Sequence, residues 1–214
     1  MLFTNNASID SASNEKNDLV IDAGTASVFF NEDIGAFSAT SQLGRLEVEQ
    51  ADAGVIFGQT DTETGDAGPV NQINLVGDGT TGNALDIGSL TAITGTGIVL
   101  NGGTVTAGDK LTITTSNDAV RFNGAVTLST DVRIDTNIAA ASGSEVGHVL
   151  FTNNATINSA SKEANDLVIN AASGSVSFNA NIGAASSTSQ LGRLEIERAS
   201  QGVVFGGSDS NSGD

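Results

Sequence analysis

The chain has 214 residues, with 25 acidic and eight basic side chains and a formal net charge of −17. Such a field repels nucleic acid and anionic membranes, which makes both poor partners, and no apolar run approaches the ~18 residues that a membrane span needs. Glycine is abundant (26 residues), Cys, Trp and Tyr are absent, and an apolar fraction of 38% is too high for a disordered polar chain.

Short apolar pieces with period-two alternation run through the chain, which is the strand signature. They start at Leu2-Phe3 and continue at Leu19/Ile21, Phe30, Leu46/Val48 and Phe57. Ile73/Leu75, Leu85/Ile87 and Ile98/Leu100 have the same texture, although no constant register fits 58–99. Leu111/Ile113, Val120-Arg121-Phe122, Val132/Ile134, Phe151, Leu167/Ile169, Phe178, Leu194/Ile196 and Phe205 follow. Gly, Asn and Ser interrupt every piece, and no stretch has helical periodicity.

Residues 2–66 match residues 150–214 without a gap at an offset of 148, with 42 identities in 65 positions. The chain therefore reads as one continuous array over 1–214, with a first unit at 2–149 and a partial second unit at 150–214. Met1 aligns with Val149 and Asp214 with Asp66, so both ends are expected to be cuts within something longer. The copies keep Phe3, Leu19, Ile21, Phe30, Leu46 and Phe57, while Lys16, Asp22, Glu32, Asp33 and Asp52 become Ala164, Asn170, Ala180, Asn181 and Ser200. The apolar positions are fixed and the acidity is negotiable.

A shorter period lies within the unit. Phe3, Phe30 and Phe57 are 27 apart, as are Phe151, Phe178 and Phe205. Leu100 and Phe122 are expected to extend the same column, with steps of 22 and then 29 residues to Phe151. This predicts an all-β, single-stranded parallel β-solenoid with coils of about 22–29 residues, five or six to the unit. Phe3, Phe30, Phe57, Phe122, Phe151, Phe178 and Phe205 would stack in its core at ~4.8 Å per coil. Asn31, Asn101, Asn123 and Asn179 follow column positions and are expected to form an amide ladder at a corner, where Asn tolerates left-handed backbone.

The segments Ala119-Val120-Arg121-Phe122-Asn123-Gly124-Ala125-Val126-Thr127-Leu128 and Asn165-Asp166-Leu167-Val168-Ile169-Asn170-Ala171 resemble the β-strand repeats of giant bacterial exoproteins, including the filamentous-haemagglutinin-like adhesins. The resemblance implies a right-handed β-helix, export to the cell surface, and a role in attachment or an extracellular matrix. It carries over no functional residue, because that family's motif is structural.

Other motifs are weighed against plain structure. Gly77-x-Gly79-x-x-Gly82 spells a dinucleotide fingerprint, but Asn83-Ala84-Leu85-Asp86-Ile87 after it is strand-like where that fingerprint needs a helix, so it reads as a turn. Asp61, Glu63 and Asp66 could offer carboxylate oxygens to Ca2+. Their spacing departs from known calcium loops and Glu63 becomes Asn211 in the second copy, so a solvated loop is the default. His148 has no nucleophile motif beside it and reads as a surface residue. The sequons at Asn6 and Asn154 carry no weight in a bacterial reading. Stacking would pair Asp18 with Arg45, Lys110 with Asp131 and Asp166 with Arg193 on the outer surface, each worth ~0–1 kcal/mol.

The functional expectation is a non-enzymatic rod: an adhesin stalk at the cell surface, or alternatively a self-assembling extracellular filament. Partners would be neighbouring repeats and further copies, end to end or side by side. A β-helical polysaccharide lyase or hydrolase fits poorly, since the chain lacks Trp and Tyr platforms and its acids vary between copies.

Overall fold

The computed structural model describes residues 1–58, 68–77, 82–103, 110–137 and 146–206. Those residues form an all-β structure with three sheets, every paired strand being parallel to its neighbours.

The chain visits the three sheets in constant order, one pass through all three being a circuit. The first circuit is β1 (Leu2–Phe3), a bridge at Ile9, and β2 (Leu19–Asp22). The second is β3 (Ser27–Phe30), a bridge at Ile34, and β4 (Leu46–Gln50). The third has β5 (Gly54–Phe57), β6 (Gln72–Asn74) and β7 (Asn83–Ile87), and the fourth has β8 (Ile93–Leu100), β9 (Lys110–Thr114) and β10 (Ala119–Phe122). The fifth has β11 (Gly124–Leu128), β12 (Asp131–Asp135) and β13 (Val149–Phe151), and the sixth has β14 (Ile157–Ser159), β15 (Leu167–Asn170) and β16 (Val176–Phe178). The seventh is a bridge at Ile182, then β17 (Leu194–Arg198) and β18 (Val203–Phe205).

The first sheet is ordered β1-β3-β5-β8-β11-β14 and the third β2-β4-β7-β10-β13-β16-β18. Between them in chain order lies the second, β6-β9-β12-β15-β17, which the parallel bridges Ile9–Ile34–Ile73 prolong to the first circuit. The three pairs over 58–99 that resisted a register are thus three successive sheets: Ile73 in the second, Leu85/Ile87 in the third, Ile98/Leu100 in the first.

Alternation sets which side chains point inward. β10 and β12 bury every second residue, Val120 and Phe122, then Val132 and Ile134. The inward residues of all three sheets merge into one hydrophobic cluster whose buried members run from Ile21 in the first circuit to Phe178 in the sixth. Phe30, Phe57, Phe122, Phe151 and Phe178 are fully buried within it.

The Phe residues form two columns where one was expected. Phe3, Phe30 and Phe57 stack in the first sheet with ring centroids 5.1 and 4.9 Å apart. Leu100 and then Leu128 continue that line. Phe122, Phe151, Phe178 and Phe205 stack in the third sheet, at 5.2, 5.3 and 5.1 Å, above Ile21, Val48 and Ile87. The 22-residue step from Leu100 to Phe122 is two strands of a circuit, not a whole one, so it moves the chain to another sheet.

The amide ladder is corrected as well. Asn101 donates from Nδ2 to the carbonyl of Gly58, and Asn123 likewise to that of Gly88 at 2.9 Å. Each amide satisfies the backbone of the preceding circuit. Among the described non-glycine residues, positive φ falls at Asn14, Lys16, Asn117, Lys162, Ala164 and Ala172, none of them in the expected ladder.

Candidate functional site

The outer surface is built from the strand residues that alternation leaves outside. On the third sheet, Glu47, Asp86 and Arg121 lie in register on β4, β7 and β10. Arg121 donates from Nη1 to Asp86 Oδ1 at 3.0 Å and to the Gly88 carbonyl at 3.2 Å. Arg45 pairs with Glu47 at 2.8 Å. Burial pushes the Asp86 carboxyl above its ordinary range; hydrogen bonding from Asn83 and the charge of Arg121 oppose this, and the charge of Glu47 adds to it.

On the second sheet, Arg133 forms a fork with both carboxylate oxygens of Glu197, at 2.8 and 2.7 Å, and also bonds Asp135 at 3.1 Å. Its side chain spans from the fifth circuit to the seventh, past Val168, which pairs with both Arg133 and Glu195. The hydrogen bonds to Glu197 raise the guanidinium pKa further and burial opposes them, so the group stays charged.

The structure brings together two of the ion pairs read from the sequence: Arg45 with Asp18 at 3.7 Å, and Arg193 with Asp166 at 3.1 Å. Lys110 and Asp131 are register partners on adjacent strands. The carboxylates Asp61, Glu63 and Asp66 lie outside the described residues, as does Gly79. Gly77 and Gly82 have positive φ, and strand β7 begins directly after Gly82. His148 is half-buried, and its Nδ1 accepts from the backbone N–H of Ser175 at 3.1 Å and lies 2.9 Å from its hydroxyl. That contact ties two adjacent circuits.

An open pocket of about 400 Å³ lies between the first two circuits, lined by Asn5, Ser8, Asp10, Glu32, Asp33 and the exposed Phe37 among others. Composition could not have singled it out, because it forms only where two turns 27 residues apart stack. Its carboxylates serve the backbone. Asp10 accepts from the Phe37 N–H at 3.1 Å, and Asp33 from the N–H groups of Asn71 and Gln72 at 2.6 and 3.1 Å. Asn158, the second-copy equivalent of Asp10, makes the same bond to Ala185 at 3.1 Å.

Among the described residues no three His, Asp or Glu side chains converge to hold a metal ion. The contacts Arg45–Asp18, Arg193–Asp166, Arg121–Asp86, Arg133–Glu197 and His148–Ser175 each join one circuit to another. Comparison with known protein families, curated proteins and solved structures finds no match. No helix among the described residues is long and apolar enough to cross a membrane.

Proposed function

We propose that the chain is a rod segment, a closed right-handed parallel β-solenoid acting as a non-enzymatic stalk in a large repetitive secreted protein of the filamentous-haemagglutinin-like kind. The observation that carries this reading is the duplication of strand packing across the repeat. Leu19, Val20 and Ile21 pair with Leu46, Glu47 and Val48, with a bulge before Asp22 and Gln50. Leu167, Val168 and Ile169 pair with Leu194, Glu195 and Ile196, with a bulge before Asn170 and Arg198. Buried strand positions stay apolar, Val48 becoming Ile196, while charges drift, Glu32 to Ala180 and Asp33 to Asn181 among them. A catalytic surface would be held the other way round. Charge of one sign suits an extended object that must stay dispersed.

A self-assembling filament is the second reading. Val203 and Phe205 of β18, which continue the inward columns Val149–Val176 and Phe151–Phe178, are exposed. Open strand edges with apolar side chains template the addition of further strands.

Negative-stain electron microscopy over a concentration series, with and without Ca2+, tests both. Seven circuits at ~4.8 Å each give rods about 34 Å long. Single rods at every concentration support the stalk, and fibres that lengthen with concentration support the filament. Compact particles without a long axis overturn both. Rods that form only with Ca2+ would assign the carboxylates at Asp61, Glu63 and Asp66 a structural role.

A further inference from the structure

The two copies of the repeat have the same local structure and sit on different sheets. In the first copy β1, β3 and β5 belong to the first sheet, and their equivalents β13, β16 and β18 belong to the third. β2 and β4 belong to the third, and their equivalents β15 and β17 to the second. Ile9 and Ile34 prolong the second sheet, and their equivalents Ile157 and Ile182 lie in line with the first. Every strand position is displaced in the same sense. From Phe3 to Phe151 the chain passes through fourteen strand positions, which is four circuits and two further sheets.

The displacement leaves local geometry untouched. Register is the same in Leu2–Phe29, Phe3–Phe30 and in Leu150–Ser177, Phe151–Phe178. The left-handed positions recur, Asn14 and Lys16 at φ 65° and 55°, Lys162 and Ala164 at 71° and 53°. Ser11 accepts from the N–H of Asn17 at 2.8 Å, and Ser159 from that of Asn165 at 2.9 Å. Ser13 meets Thr40 at 3.0 Å, and Ser161 meets Thr188 at 3.2 Å. These turns are the part of the surface that both copies share.

We infer that the 148-residue unit is an indexing element: it turns each successive copy by one sheet, so that the shared surface turns of consecutive copies face different sides of the rod. This rests on the rod reading above and goes beyond it. A unit of whole circuits would line equivalent turns up in one stripe and give the rod a single working side. A unit of four and two-thirds circuits spreads them over three sides, with the fourth copy returning to the first copy's side. At ~4.8 Å per circuit, one copy advances about 22 Å and the full cycle about 67 Å.

The chain has no Cys, so engineered pairs read the phase directly. Thr127 faces Asn158 in the first sheet. Were the copies in phase, Leu150 would take the place of Leu2 in the line Leu2, Phe29, Ile56, Val99, Thr127, and would face Thr127 instead. Thr127→Cys is therefore combined with Asn158→Cys or with Leu150→Cys, and disulfide formation under mild oxidation is followed by mass spectrometry. The 127/158 pair is expected to close on the order of tenfold faster than 127/150, because only facing residues have the Cα separation a disulfide accepts. Arg133→Cys with Val168→Cys, facing residues of the second sheet, gives a second indexed pair that does not touch Asn158. Val20→Cys with Glu47→Cys lies within one copy and closes under either phase. Closure of 127/150 in preference to 127/158, or failure of both indexed pairs while 20/47 closes, overturns the indexing and leaves the rod standing. Failure of 20/47 overturns the stacked rod and the indexing with it.

Discussion

Phe3 and Phe151 hold the same place in the repeat, yet Phe3 stacks in the first sheet and Phe151 in the third. Phe3 stacks on Phe30 and Phe151 stacks on Phe178, so the contact within the copy is the same in both. Nothing local fixes which side of the molecule a copy faces. The number of strand positions from one copy to the next sets it, and among the described residues that number, fourteen, is not a multiple of three.

The column predicts a steep contrast between buried and exposed aromatic positions. Phe122 is fully buried between Ile87 and Phe151. Phe122→Ala is expected to cost about 3–5 kcal/mol through lost transfer energy and the cavity left behind. Phe122→Asp is expected to cost more, since its carboxylate would have no partner there. Phe37, 85% exposed, should tolerate Ala within about 0.5 kcal/mol. Urea denaturation of the three variants checks this, and a Phe122→Asp chain that unfolds like wild type would remove the column.

Strands and core residues were legible in the sequence because alternation and burial are local. Val120, Phe122, Val132 and Ile134 point inward as their pattern requires. The sheet each strand joins was not legible. Ile, Val and Leu serve all three inner faces and Phe serves two of them, so a strand's composition does not assign it to one side. Spacing misleads as well, because circuits differ in length: Phe3 to Phe30 takes 27 residues and Phe57 to Leu100 takes 43. The outer pairs Asp18–Arg45 and Asp166–Arg193 were readable because they span circuits of 27 residues without interruption. The Arg133–Glu197 fork was not, since it reaches across two circuits.

Gly44 and Gly24 should respond differently to the same substitution. A Cβ on Gly44 would lie 2.3 Å from the Lys16 carbonyl oxygen, and its equivalent Gly192 meets Ala164 in the same way at 2.1 Å. Because backbone must shift, Gly44→Ala is expected to cost about 1–3 kcal/mol. Gly24 has φ +55° and open space around it. Its equivalent is already Ala172 at φ 45°, so Gly24→Ala should cost only about 1 kcal/mol of left-handed strain. Thermal melts in which Gly24→Ala is the more damaging variant would contradict the close approach of the first two circuits.

Asp10 should be replaceable by its own counterpart. Asp10 and Asn158 each accept from a backbone N–H 27 residues on, at 3.1 Å in both copies. What the turn needs is the carbonyl-like oxygen, not the charge. Asp10→Asn is expected to leave stability unchanged within about 0.5 kcal/mol, and Asp10→Ala to lose about 1 kcal/mol with the hydrogen bond. Equal losses in both variants by chemical denaturation would show that the charge matters instead.

Asp86 gives a pH dependence whose sign follows from its surroundings. Burial is the largest influence on the carboxyl and raises its pKa above the ordinary 3.8, while Asn83 and Arg121 only partly offset it. The folded chain therefore binds this proton more tightly than the unfolded chain does. Its contribution to stability is complete below pH 3.8 and is lost as pH rises through the raised folded value. Asp86→Asn keeps the shape of the neutral acid and cannot ionise. The stability of wild type relative to this variant should fall as pH rises through that window and level off above it. Paired urea titrations of the two chains, from about pH 3 to about pH 7, cancel the other carboxylates to first order. A relative stability that rises with pH would mean that the Arg121 ion pair outweighs burial, and that the outward column of the third sheet is held by charge more than by its dry surroundings.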